Sequence, residues 1–358
     1  MKRSANKQPS LEARFASVLA KLNFRPEKSW AIAVSGGGDS IALMHLAARW
    51  AKANNLPPPV VLTVDHGLRP ESTSDAAYVE ACAKARGLNA VVLCWTGAKP
   101  RTGVEEQART ARYKLMGDWC SAHRADRLLL GHTKDDLAEN FLLRLGRGSG
   151  VDGLSAMRVA IPLPAHAVPT VTLMRPLLAF SRAELRAWLA QLGVTWLEDP
   201  MNDDDNFART RVRKLLPLLA EAGIPSDRIA AAAGHLGRAR HALELKTWEF
   251  LQHHANFDGG VALMDSAALG EAPREIGLRA LSEALRSIGK LPYRPRFERL
   301  ERLFEAIVSD EFHAGTLAGC RIVRAPRGKA AFGPRTIAIA LESPRKSRNR
   351  VQRAGALP

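Results

Sequence analysis

Cysteine is scarce in this chain of 358 residues. Cys82, Cys94, Cys120 and Cys320 lie far apart, and no two form a Cys-x-x-Cys pair. That dispersion argues against a disulfide framework and a thiolate zinc site, and a reducing compartment is expected. No run of about eighteen apolar residues occurs, so no membrane-spanning helix and no membrane partner are expected. The opening MKRSANKQPSLEARF is basic but carries no apolar segment behind its charges, so the protein is expected to be cytoplasmic rather than exported. A repeat of fixed period is absent too. Acidic residues are the minority, 36 against 52 Lys and Arg, which leaves a formal charge of +16. The excess is shared evenly between the first 150 residues and the remainder. A polyanion, nucleic acid first, is the partner such a charge suits, because each phosphate contact releases condensed counterions. A merely soluble basic protein would have the same composition.

With 46% hydrophobic residues the chain can bury a sizeable core, and its length suits two or three domains. Short apolar runs at Trp30–Val34, Val60–Val64, Asn89–Cys94 and Arg127–Leu130 alternate with helical patterns at Ser40–Asn54, Ser72–Arg86 and Val104–Ala122. Each helical stretch is long enough for the crossover that parallel strands need. The expectation is an α/β domain over residues 1–217, an open parallel sheet with helices on both faces. Ser226–His253, Pro273–Ile288 and Pro295–Ser309 read as helices and predict a smaller helical domain over 218–310. Leu278, Leu281, Leu285 and Ile288 share one face of it. Thr316-Leu317, Arg321–Val323 and Ile337–Ala340 suggest a short β-like piece within 311–343, and the basic stretch 344–358 is expected to be disordered.

The strongest chemical signal is Ser35-Gly36-Gly37-Gly38-Asp39-Ser40, directly after an apolar strand and opening a helix. Glycines let bare backbone N–H groups approach phosphate oxygens, and the helix N-terminus adds its positive dipole end. The loop lacks the lysine and spacing of a Walker A loop and the spacing of a dinucleotide fingerprint. Asp65-His66-Gly67-Leu68-Arg69 closes the second strand, where open α/β folds bind ligands, although a pentapeptide can equally be a plain turn. Glu105, Arg109 and Arg112 fall at i, i+4 and i+7 on one helix face. The fourth strand runs into Gly131-His132-Thr133-Lys134-Asp135-Asp136-Leu137-Ala138-Glu139-Asn140. Acids at a helix start are often only caps, but Asp136 and Glu139 share a face and could hold a cationic amine or a metal.

The hexapeptide resembles the SGGxDS loop of the PP-loop, or N-type ATP pyrophosphatase, enzymes, which split ATP between its α and β phosphates. The later segments resemble the tRNA(Ile)-lysidine synthase family: Asp65–Arg69 its DHGLR, Glu105–Tyr113 its E-x-x-A-R-x-x-R-Y, and Gly131–Asn140 its GHHxDDxxET. Arg147–Leu154 is similar to RGSGxxGL, Arg175–Leu178 to RPLL, and Glu198–Asn202 with Arg209, Arg211 and Arg213 to D-x-x-N and R-x-R-x-R. Thr133 and Asn140 depart from the pattern. The resemblance is dense from Trp30 to Pro217 and thins beyond.

It implies an ATP-dependent ligase that adenylates C2 of the wobble cytidine of an isoleucine tRNA with a CAU anticodon and then joins L-lysine. By that resemblance Ser35, Gly36, Gly37, Gly38, Asp39, Ser40, Asp65, His66 and His132 bind ATP. Asp39, Arg112, Asp136 and Glu139 are catalytic, with magnesium assisted by Asp39 and lysine held by Asp136 and Glu139. Arg109, Arg112, Arg147, Arg209, Arg211 and Arg213 contact tRNA, and a homodimer is compatible with the sequence. Three rivals are weighed. A tRNA thiolase would use ATP identically but needs paired cysteines; a small-molecule amidotransferase needs a glutaminase signature that is missing. A non-catalytic RNA-binding protein would have no use for Asp39, Asp136 and Glu139 together.

Overall fold

The computed structural model describes residues 9–26, 29–100, 102–163, 171–198, 208–291, 294–326, 328 and 330–342, without the side chain of Glu105. Asp199–Asn202 and the basic tail, both singled out above, lie outside the described residues. The chain forms two compact units, Met1–Gly237 and Arg238–Pro358.

The first unit opens with α1 (Leu11–Lys21), capped by the Ser10 hydroxyl, and passes to β1 (Ala31–Ala33) and α2 (Gly38–Ala53). There follow β2 (Val60–Asp65), α3 (Ser72–Lys84), β3 (Ala90–Cys94), α4 (Val104–Ala122) and β4 (Arg127–Leu130). The latter half holds α5 (Lys134–Leu145), α6 (Val151–Leu154), β5 (Ala160–Pro162), β6 (Thr172–Met174), α7 (Arg182–Gln191) and α8 (Ala208–Glu221). The chain stays helical through Pro217 in α8. The strands form one sheet in the order β3-β2-β1-β4-β6-β5, parallel except for β5. Because β1 is buried on both faces, its three residues are all apolar and all buried, as a central parallel strand requires.

Side-chain alternation divides that apolar content into two layers. Ile32, Val61, Leu129 and Met174 point into one core with α1, α2 and α7. Ala31, Ala33, Leu62, Leu128 and Leu130 face the other, closed by Tyr113, Met116 and Trp119 of α4. Trp30 fixes the edge of the first layer: it is fully buried, its indole N–H donates to the Pro57 carbonyl at 2.8 Å, and it meets Phe24 edge-on at 5.1 Å.

The expected parallel sheet is present, with each of the four predicted strands and three predicted helices found within a few residues of its expected bounds. Elements not anticipated include α1, the short α6 and β5, and α7, whose start is encoded by a capping box of Ser181 and Glu184.

The helix α9 (Ser226–His254) carries the chain into the second unit. After it come β7 (Ala255–Asp258), β8 (Val261–Asp265), α10 (Ser266–Glu271), α11 (Arg274–Gly289), α12 (Phe297–Val308), β9 (Ala314–Leu317), β10 (Cys320–Arg324) and β11 (Thr336–Leu341). Leu278, Leu281, Leu285 and Ile288 do share the buried face of α11. The β-like C-terminal piece is three strands of a five-stranded antiparallel sheet, ordered β7-β8-β11-β10-β9. Its other two strands form a hairpin inside the segment read as helical, with Gly259 and Gly260 at positive φ in the turn. That hairpin escapes notice because Val261–Asp265 is short and only every second residue is fully buried.

Replacing Trp30 by Ala removes the largest fully buried side chain among the described residues of the first unit and should cost about 3–5 kcal/mol. Denaturant unfolding followed by circular dichroism checks this; a loss below about 1 kcal/mol would contradict the role given to that side chain.

Candidate active site

In the first sheet the connections lead outward from β1 to β2 and β3 on one side, and through β4 and β6 on the other. The reversal lies between β1 and β4. The region beyond their carboxyl ends is the position at which open α/β sheets take ligands. Ser35–Ser40 follows β1 and Gly131-His132 follows β4, so the two most informative motifs meet at one place.

The loop is shaped by its own side chains. Ser40 donates its hydroxyl to the Gly37 carbonyl at 2.8 Å and accepts the Ser35 N–H at 3.2 Å. Gly36 has φ +91°, and its carbonyl accepts the Leu197 N–H at 3.0 Å, so a side chain there would be strained and would strike Leu197. A Cβ on Gly131 would lie 3.1 Å from the Asp39 carbonyl oxygen, which explains glycine at the end of β4. Helix α2 starts at Gly38 with no side-chain cap, leaving its first N–H groups for an anion.

Beside the loop stands a charge cluster built from the N-terminal parts of four helices, α2, α5, α7 and α8. The Arg182 guanidinium, on the first residue of α7, donates from Nε to Asp39 Oδ2 at 3.1 Å and from Nη1 to Glu139 Oε1 at 3.2 Å. Its Nη2 lies 3.5 Å from Asp136 Oδ1. Arg213 Nε donates to Glu139 Oε1 at 2.7 Å, and Arg209 Nε is 3.1 Å from Glu139 Oε2. Glu139 is fully buried.

Asp136 does two jobs. One oxygen accepts the Thr133 N–H at 2.8 Å, closing a capping box on α5, and the other faces Arg182. Thr133, which departs from the resemblance, is therefore the N-cap, a role its hydroxyl fills well. Burial raises the Asp136 carboxyl, but the Thr133 N–H and the charges of His132, Arg182 and Arg209 outweigh it and hold it below the usual range. For Asp39 burial wins over Arg182, and its carboxyl titrates above the usual range. Arg182 is held protonated: burial opposes its charge, but Glu139, Asp39 and Asp136 more than offset that.

On the far side of Asp136 the surroundings turn positive. Burial, helped by Arg175, Arg109 and Arg209, pushes the His132 imidazole down to about 4, although Asp136 pulls the other way. Arg175 is buried and donates to the Arg158 carbonyl at 2.7 Å. Arg109 lies over the Tyr113 ring at 5.4 Å.

Of the residues proposed from sequence, Asp39, Asp136, Glu139, Arg209 and Arg213 come together here, with His132 in the electrostatic field of Asp136. Asp65 stands at the end of the adjacent strand, and its carboxylate is engaged by the Gly67 N–H at 3.0 Å, the Ser72 hydroxyl and the Thr73 hydroxyl at 2.8 Å. The Ser72 and Thr73 bonds hold it below the ordinary carboxylate range. His66 Nδ1 accepts the Leu68 N–H at 3.1 Å, so this segment is first of all a structured turn. Arg112, Arg147 and Arg211 are exposed.

Sequence reasoning missed Arg182. A signal was available: Ser181-x-x-Glu184 marks a helix start, and a cation at its first position opposes the helix dipole and calls for an anionic partner.

Residues 7–219 match the PP-loop domain family ATP_bind_3. A tRNA(Ile)-lysidine synthase of Ruegeria pomeroyi is 39% identical over 304 residues, covering 85% of this chain and 71% of that protein. The chain belongs to the tRNA(Ile)-lysidine synthase family. Another member, from Wolbachia pipientis wMel, is 40% identical over 82% of this chain and 67% of its own length. Among solved structures the U34-tRNA thiolase NcsA from Methanococcus maripaludis, with its [4Fe-4S] cluster, aligns with a TM-score of 0.53 at 18% identity, over 63% of this chain and 78% of that one. That likeness concerns the fold alone. The carboxylate cluster thus lies in the segment the family shares.

His132 and the buried His45 are both pushed down to about 4 from an ordinary 6.5, in each case by burial first. The unfolded chain then binds more protons between those values, so their contribution to stability is complete above about pH 6.5 and is lost as pH falls toward 4. Unfolding free energy measured at pH 7 and pH 5 should drop for the parent. In a His45→Leu variant the drop should be smaller by about 1 kcal/mol or more. An equal drop in both would contradict the buried neutral state of His45.

Proposed function

We propose that the protein joins L-lysine to C2 of the wobble cytidine in the CAU anticodon of an isoleucine tRNA, using ATP and releasing AMP and pyrophosphate. The observation that carries this reading is the juxtaposition of the Ser35–Ser40 anion cradle with Asp39, Asp136 and Glu139 at the switch point of the sheet. Polyanion and cation seats side by side suit a reaction that consumes a triphosphate and an amine.

In the first step the backbone N–H groups of Ser35–Ser40 and the start of α2 hold the triphosphate. The C2 oxygen of the cytidine attacks the α-phosphorus, and pyrophosphate departs. Asp39 Oδ1 is buried and has no hydrogen-bond partner among the described residues, an orphaned acceptor beside the cradle. It fits magnesium, which takes one or two carboxylates together with phosphate oxygens rather than an all-protein cage. Consistently, no cluster of three or more ligating side chains able to hold a metal is found among the described residues. Asp39 would hold the ion, which when bound would neutralise charge on the phosphates. In the second step the neutral ε-amine of lysine attacks C2 and AMP leaves. Asp136 and Glu139 hold the lysine α-ammonium, because an unpaired cation in a closed site is costly. His132, kept neutral, adds no charge to repel the amine.

Arg109, Arg112, Arg147 and Arg211 are proposed to meet tRNA phosphates, together with Arg209 and Arg213 where these extend beyond Glu139. Asp65 and His66 are proposed to border the nucleotide through their turn. No helix among the described residues is long and apolar enough to cross a membrane, and the cytoplasm, where tRNA is modified, is the proposed location. A homodimer is retained as a proposal for the assembly.

Incubation with ATP, lysine and tRNA, followed by nucleoside mass spectrometry, should give a lysine-modified cytidine with AMP as the nucleotide product. ADP as the main product, or an unmodified cytidine, would overturn the reading. In Asp136→Asn and Glu139→Gln the lysine KM should rise at least tenfold while tRNA adenylation stays measurable. Loss of adenylation at every lysine concentration with recovery in excess magnesium would assign those carboxylates to the metal.

A further inference from the structure

Both cations required by the reading above are directed to carboxylates that already hold one. Every nitrogen of the Arg182 guanidinium addresses a different acid: Nε Asp39, Nη2 Asp136 and Nη1 Glu139. A lysine ammonium arriving at Asp136 and Glu139 meets that guanidinium in place. Two positive charges a few ångströms apart in a partly buried site repel strongly.

The triphosphate supplies the guanidinium with a different partner. Asp39, which Arg182 touches, is the fifth residue of the phosphate loop, and the next turn of α7 also lies against the loop. Arg186 Cγ would be 3.5 Å from a Cβ on Gly38. Carboxylate and phosphate oxygens both accept from a guanidinium in the same fork geometry, so phosphates bound in the loop would compete with the carboxylates for Arg182.

We infer that Arg182 is an internal counter-cation that keeps lysine out until nucleotide is bound. The inference rests on the assignment of Asp136 and Glu139 to the lysine ammonium. In the nucleotide-free protein Arg182 fills the amine seat; with the triphosphate in the loop it turns to the phosphates, which frees Asp136 and relieves Glu139 of one of its three cations, leaving Arg209 and Arg213. Lysine then enters a site in which the reactive tRNA intermediate can be formed, and the two steps occur in order. Arg182 is a positioning residue here, acting on lysine through the carboxylates it occupies.

The backbone around it is fixed without the side chain. The Arg182 N–H donates to Asp135 Oδ2 at 2.7 Å, the Lys134 N–H donates to the Phe180 carbonyl at 2.9 Å, and Ser181 with Glu184 caps α7. Substitution of the side chain therefore leaves α7 anchored to the start of α5.

Equilibrium dialysis of radiolabelled lysine against the full chain, at constant magnesium and with or without an ATP analogue bearing a methylene between the α and β phosphorus, tests the coupling. The wild type should bind lysine about tenfold more tightly, or better, when the analogue is present. Arg182→Gln should bind with the same affinity in both arms. If the glutamine variant does not fold, Arg182→Lys carries the test: one ammonium cannot bridge three carboxylates, so its nucleotide dependence should shrink to a few-fold. Either variant keeping the full dependence overturns the inference. Equal lysine affinity of the wild type in both arms overturns it while leaving the lysine seat standing. A wild type that binds no lysine in either arm and transfers none to tRNA removes the lysine seat and the inference with it.

Discussion

The contact between the Arg182 guanidinium and three carboxylates is the constraint on which the site depends. Glu139 is fully buried and Asp136 nearly so, and a carboxylate taken from water without a partner costs several kcal/mol. Arg182, Arg209 and Arg213 supply three positive charges to three acids, and the cluster closes near neutrality. Such a balance adds little to stability, since a well-packed apolar core of the same volume would serve as well or better. Its value lies in keeping ionised acids in place beside a phosphate loop, where opposite charges will be needed in succession.

The sheet explains why those charges can meet. Asp39 belongs to the start of α2, Asp136 and Glu139 to α5, and Arg182 to α7, so that more than forty positions separate Arg182 from Glu139, and more still separate Asp136 from Asp39. Each follows a strand end or a tight turn at the carboxyl edge of β1, β4 or β6. The start of α2, which no side chain caps, leaves N–H groups free there, so the site attracts anions through the backbone while acidic side chains attract cations. Asp136 shows both functions in one residue: it caps its own helix and offers the remaining oxygen to the site.

Much of the first unit is legible in the sequence because its strands are short apolar runs bounded by glycines, and because Ser35–Ser40 sits where a strand must turn into a helix. Asp136 and Glu139 could be paired from their spacing alone. Arg182 could not be joined to them, since a distance of forty residues in sequence becomes 3.2 Å only through the packing of α7 on the loop. The carboxylate of Asp65 reads as a ligand group in the sequence, yet its bonds to Gly67, Ser72 and Thr73 form a local turn that a spacing argument cannot distinguish from a binding site. The hairpin of β7 and β8 was hidden for a related reason: it is flanked by a long helix and a short one, and its apolar alternation is brief.

The central claim is that the loop activates tRNA before lysine takes part. Exchange of labelled pyrophosphate into ATP, measured with isoleucine tRNA present and lysine absent, tests it most directly. The account predicts exchange that depends on tRNA and disappears in Asp39→Ala. Exchange that requires lysine, or that proceeds without tRNA, would contradict it.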